Sequence, residues 1–188
     1  MIEVPEIAYS SKVLDRERHF ALVQSLEKYV RVANIPAHMV WTSSKGICSE
    51  GEVNFIRRLR KNALEGSCGL VYTGVAGPKV KPVATRMMAL AGVCLRNYID
   101  GRVIVLADLL DGLKAEADVN PTVLFIPDFY INKAKLPDWR LSALYSLLIN
   151  RQAQSRLTFL YVEDMEAMAK AYGAQFRAHL ENNFERAE

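Results

Sequence analysis

Gly69-Leu70-Val71-Tyr72-Thr73-Gly74-Val75-Ala76-Gly77-Pro78-Lys79-Val80-Lys81-Pro82 is the stretch that decides the fold. Its first five residues form a short apolar run between glycines, the pattern of a strand buried on both faces. A turn rich in glycine and proline follows. Beyond it Val83, Met87, Leu90, Ala91 and Leu95 recur at three- and four-residue steps. A helix therefore begins near Pro82, whose missing N–H costs nothing in a first turn. Strand, glycine-rich turn and helix, in that order, are the setting of a phosphate-binding loop. In such a loop the backbone N–H groups at a helix start cradle an anion.

The rest of the chain repeats the alternation. Residues 102–106, 122–126 and 158–162 read as three further strands, the second closed by Pro127-Asp128. Between them lie a short acidic helix or turn from Asp108 to Gly112 and a helix over 139–152. Asp138 is expected to cap the latter, with Trp139, Leu144, Leu147 and Leu148 on its apolar side. A last helix runs from Glu163 or Asp164 through Phe176 to Leu180. Upstream, Phe20, Leu22, Val23, Leu26 and Val30 predict a helix over 14–32. Ser49 and Glu52, at capping-box spacing, open another from about 50 to 64. Four apolar strands alternating with crossover helices predict an α/β fold, a three-layer sandwich with a mostly parallel central sheet. Residues 1–34 form an N-terminal helical segment ahead of a single α/β domain over 35–188. Ligand sites in such sheets lie beyond the carboxyl ends of the strands, here the loops 73–82, 106–112, 127–138 and 162–166.

Composition narrows the class. At 188 residues and 51% hydrophobic, the chain can build a core without disulfides or a structural metal. Cys48, Cys68 and Cys94 form no CxxC pair, and His19, His38 and His179 are too scattered to suggest zinc, so free thiols and no metal are expected. No run approaches the ~20 apolar residues of a membrane span. Residues 1–10 contain Glu3 and Glu6 and lack the basic-then-apolar pattern of a secretory signal. The expected location is the cytoplasm, with no membrane partner.

Lys and Arg exceed Asp and Glu by 24 to 21, which does not by itself demand nucleic acid. The distribution says more. Arg57, Arg58, Arg60 and Lys61 crowd one turn of the 50–64 helix and are the nucleic-acid candidates, for single- or double-stranded DNA. Lys79, Lys81 and Arg86 follow, then Arg140, Arg151 and Arg156, while Asp108, Asp111, Glu116 and Asp118 form an acidic stretch.

Aligning Gly74 with the first glycine of G-x-x-x-x-G-K-[ST] puts Lys79 at the last glycine, Val80 at the lysine and Lys81 at the hydroxyl. Val80 has no charge to offer and Lys81 cannot coordinate magnesium. Gly74, Gly77, Lys79 and Lys81 remain as a nucleotide or anion site, one of the lysines serving as substitute cation. A hydrolysing domain of this kind ends its third strand in two acidic residues. Here the pair is Pro127-Asp128, and Asp128 reads either as a catalytic relic or as a solvated cap on the next loop.

Taken in order, Ile35-Pro36, the basic helix near 53–61, TGVAGPKVKPVAT (73–85), TVLFIPDF (122–129), ALYSLLINRQAQSR (143–156), LTFLYVED (157–164) and MAKAYGAQFRAHL (168–180) carry a resemblance. The chain resembles, over roughly 35–184, the AAA+ ATPase domain of bacterial DnaC/IstB-type helicase loaders and transposition helper ATPases. The resemblance implies a P-loop NTPase (AAA+)-like core using ATP and magnesium. It also implies assembly with copies of itself or an AAA+ ATPase partner, and contacts with single-stranded DNA and a hexameric replicative helicase. Val80, Lys81 and Pro127 depart from the family pattern. Glu163 falls near its polar sensor residue, and His179 near its trans-acting arginine. Damage at linked positions on a kept scaffold implies a non-hydrolysing, loader-like accessory protein without a cofactor, acting in DNA replication or transposition through partner and DNA binding. Two alternatives stand. One is a nucleotide-binding protein or weak ATPase rebuilt on Lys79, Lys81 and Asp128. The other is an inert structural subunit marked by an exposed apolar patch; Trp139 and Tyr145 are the aromatics to inspect, and both are expected in the core.

Overall fold

Successive strand residues leave a sheet on opposite faces, and the apolar runs of this chain furnish both faces at once. The computed structural model describes residues 2–74, 80–115, 117–131 and 135–187. Strands Gly69–Thr73 (β1), Gly101–Val103 (β2), Val123–Tyr130 (β3), Leu157–Val162 (β4) and Phe184–Arg186 (β5) form one sheet in the order β2-β3-β4-β1-β5. Every pairing is parallel, with Leu70 opposite Phe159 and Phe125 opposite Phe159 across the two sides of β4.

Leu70, Tyr72, Phe125 and Phe159 point into one layer, where Val83–Arg96 (α7) and the helices Ile7–Ser10 (α1), Phe20–Gln24 (α2), Leu26–Ala33 (α3), His38–Trp41 (α4), Glu50–Arg57 (α5) and Leu59–Leu64 (α6) pack. Val71, Leu124, Ile126 and Leu160 point into the other, under Leu106–Lys114 (α8), Asp138–Ala153 (α9), Met165–Tyr172 (α10) and Ala174–Asn183 (α11). Ala8, Leu22, Leu26 and Val30 belong to the first cluster, so helices α1, α2 and α3 lie against the α/β body. Helix α7 crosses α4 closely enough that a Cβ on Gly92 would stand 2.2 Å from the Met39 carbonyl oxygen.

The sequence reading needs correction in several places. The 102–106 strand stops at Val103, and α8 takes over at Leu106. β3 does not close at Pro127 but continues to Tyr130 through an irregularity after Ile126. β2 pairs with β3 only as far as Phe125, so the missing Pro127 N–H breaks no bond on that side. The helix expected over 14–32 is divided at Ser25, and the one over 50–64 at Arg58. The terminal helix is divided at Gly173, whose φ of +105° suits glycine alone. Asp138 lies inside the first turn of α9, and Pro137 holds the N-cap position. Pro82 is the N-cap of α7 rather than its first helical residue.

Candidate phosphate loop and basic face

β1 ends at Thr73, and Gly74 bends away at φ +75° with open space where a Cβ would sit. The Tyr161 hydroxyl, one strand over, donates to the Gly74 carbonyl oxygen at 3.1 Å. Gly77 and Lys79 lie outside the described residues. Val80 and Lys81 are exposed and precede Pro82, so neither stands inside α7. The first N–H of α7 with a partner in its own helix turn belongs to Arg86, which donates to the Pro82 carbonyl oxygen at 3.1 Å. The N–H end of a 14-residue helix therefore opens onto this corner of the sheet.

Directly beneath it lies a cluster that sequence reasoning missed. Glu52, 1% exposed, receives Arg86 Nε at 3.1 and 3.0 Å and Arg86 Nη2 at 2.7 Å. Its Oε1 also accepts the Tyr72 hydroxyl at 2.6 Å, and its Oε2 the Ser49 N–H at 2.6 Å. The expected capping box is present, with the Ser49 hydroxyl accepting from the Glu52 N–H in return. Burial, and then Glu52, push the Tyr72 phenol well above its ordinary value. Arg86, one of the basic residues that follow the glycine-rich turn, is thus the inner half of a buried ion pair joining α5, β1 and α7. Its position four residues before Leu90 was the available signal.

At the end of β3, Asp128 is half-buried, and its Oδ1 accepts the Leu106 N–H at 2.8 Å. Val105, the N-cap of α8, supplies no side-chain bond, so Asp128 does that work from across the sheet. Burial raises the Asp128 pKa, while the Leu106 N–H pulls the other way. Pro127 offers no carboxylate. These residues do not fit a magnesium centre of the hydrolytic kind: the first ligand is missing and the second is held to a helix start. Beyond β4, Asp164 rather than Glu163 caps α10, accepting the Ala167 N–H at 2.9 Å.

The four basic candidates behave differently. Arg57, Arg58, Arg60 and Lys61 are all exposed, at the end of α5 and along α6. Lys61 approaches Glu65 at 3.6 Å, whereas the Arg57 and Arg58 side chains donate to Asn54, at 3.4 and 3.5 Å. Elsewhere exposed or half-buried arginines are matched to acids, as Arg16 is to Glu6, Arg140 to Asp111 and Arg177 to Glu181. Arg151, another of the basic residues noted in the sequence, is 1% exposed and is held by the Thr158 hydroxyl at 2.8 Å and the Pro121 carbonyl oxygen at 2.9 Å. Burial lowers its pKa to about 9.

His179 cannot serve a neighbouring subunit as a cation. It is 6% exposed on α11, in ring contact with Tyr145 and Phe184, and its Nε2 has no hydrogen-bond partner among the described residues. Burial lowers its pKa below the ordinary 6.5. The unfolded chain then takes up the proton more readily than the folded one. Stability is lost as pH falls through about 6.5 and on toward the folded value. Thermal melts of His179→Gln should show a smaller drop in Tm between about pH 7 and pH 5 than the unaltered chain; equal drops would refute this assignment. Trp139, expected in the core, is 53% exposed with the Arg140 guanidinium 5.2 Å from its ring centre. Tyr145 does pack inward, on Phe176.

Among solved structures, one described as the crystal structure of a DNA replication initiation factor matches this chain with a TM-score of 0.53 at 10% identity. The match covers 78% of this chain and 49% of that one, so the chain spans about half that structure's length. The fold is AAA+-like. At that identity the likeness carries architecture alone. No protein-family model matches the sequence, and no curated protein does. Among the described residues no helix is long and apolar enough to cross a membrane.

Proposed function

We propose that this protein is a non-hydrolysing, helicase-loader-like accessory factor of the cytoplasm. It acts in DNA replication or transposition by binding a protein partner, an AAA+ ATPase or a replicative helicase, together with DNA. The observation that carries this reading is the end of β3, where Pro127 replaces one acid and Asp128 is committed to the Leu106 N–H. A site that must orient magnesium and a water draws on carboxylate oxygens from two acids; here Pro127 supplies none and Asp128 Oδ1 is spent on the Leu106 N–H. The AAA+-like architecture supports the same reading, since a structure sharing it is described as a DNA replication initiation factor. The α5–α6 face supports the DNA part: phosphates are held by cations, and among the described residues only Lys61 of these four has a carboxylate partner.

The test is a titration with labelled ATP and magnesium, run beside a Lys79→Ala/Lys81→Ala double variant. No saturable binding at millimolar nucleotide is expected. Tight binding that the double variant loses would overturn the proposal in favour of a phosphate site rebuilt on displaced lysines, and hydrolysis would then be measured directly.

A further inference from the structure

The phosphate corner lies at the carboxyl ends of the strands. At their amino ends, where Ile99, Asp100 and Arg102 lead into β2, helices α2 and α3 and the end of α7 enclose a groove of about 340 Å³. That volume falls in the ~300–1,000 Å³ range of clefts that take a ligand or an anchoring side chain. Leu22, Ala33, Leu95 and Ile99 make its floor. Its mouth is apolar too: Tyr29 is 39% exposed, Val32 50% and Tyr98 53%. A helix of a folded domain ordinarily turns such residues inward. In α3 the inward stripe is already complete with Leu26, Val30 and Ala33, so Tyr29 and Val32 form a second apolar edge.

Tyr98 is fixed there by its backbone. It holds φ +57°, a conformation glycine takes freely at the end of a helix, with its N–H on the Leu95 carbonyl and the Ile99 N–H on that of Cys94. Its hydroxyl donates to the Arg18 carbonyl oxygen, so the ring is a fixed wall.

The charges select the occupant. Arg102 is bound to Asp100 at 2.9 Å and to Asp118 at 3.1 Å. Lys28 is the one charge lining the groove that has no oppositely charged partner among the described residues. An apolar trough with a single unmatched ammonium complements a helix presenting apolar side chains beside a carboxylate. A nucleic acid would meet far less positive charge here than on α5–α6.

We infer that this groove docks an amphipathic helix of a partner protein, its apolar residues between Tyr29, Val32 and Tyr98 and an acidic side chain on Lys28. The inference rests on the partner-binding reading above and gives that partner a place and a chemistry.

The test displays a library of amphipathic helical peptides, each charged position varied between Glu and Lys, and selects it against the full chain. The selected peptides should be acidic and apolar. Lys28→Glu should weaken them about tenfold, and exchanging their Glu for Lys should restore binding to that variant. Val32→Asp should remove binding. Both changes are at exposed positions, and Tm reports that the variants fold. DNA binding by the α5–α6 face should not change in either variant, so failure of the groove is separable from failure of the function proposed above. No enrichment, a lysine-rich consensus, or binders indifferent to both variants would overturn the inference. So would a dimer in sedimentation velocity that Val32→Asp splits, because the occupant would then be a second copy.

Discussion

Glu52→Ala is expected to cost about 3–5 kcal/mol of folding stability, the usual consequence of leaving one member of a buried ion pair alone. The side chains of Arg86 and Glu52 are 6% and 0% exposed, so water cannot replace the lost carboxylate. The substitution also frees the Ser49 N–H at the start of α5 and strips the Tyr72 hydroxyl of its acceptor. Small domains hold roughly 5–15 kcal/mol in total, so a large share would go in one step. The double variant Glu52→Leu/Arg86→Met should be markedly more stable than Glu52→Ala, because no unpaired charge remains. Urea denaturation of Glu52→Leu, Arg86→Met and the double variant decides the matter. Additive losses would mean that the pair contributes little as a pair.

That cluster shows where the sequence stops being legible. Ser49 and Glu52 at capping spacing are local information, and the capping box is where it was expected. That the same carboxylate also meets a guanidinium 34 residues later depends on how α5 and α7 share a face of the sheet. The apolar strands at 69–73 and 158–162 were readable because burial on both faces leaves an uninterrupted hydrophobic signature. β5 has no such signature: Phe184, Glu185 and Arg186 are extended only because β1 offers an open edge. Counting charge along the chain does not separate the buried Arg86 and Arg151 from the exposed cations. Helical spacing would have done better, since Arg151 follows Leu147 by four residues and Leu148 by three, on the buried side of α9. Asp128 was recognised as the residue to question, but its role came from Leu106, a residue 22 positions away whose helix start was not foreseen.

The four cations of α5 and α6 support the other large prediction. Replacing Arg57, Arg58, Arg60 and Lys61 together by glutamine should weaken binding of a single-stranded oligonucleotide by between two and three orders of magnitude at ~0.1 M salt. The estimate comes from counterion release: each phosphate neutralised on a single strand contributes ~0.7 to the slope of log affinity against log salt. Four contacts make about 2.8, and the slope should flatten by that amount. Lys61 will fall short of its full share because Glu65 stands 3.6 Å away. Arg16→Gln is the matched control, an exposed arginine already held by Glu6 at 2.5 Å, and should leave the slope unchanged. Fluorescence anisotropy across a salt series measures both quantities. A quadruple variant that keeps the parent slope would remove DNA from this face and leave the α5–α6 cations to an acidic protein, which unlabelled DNA would then fail to displace.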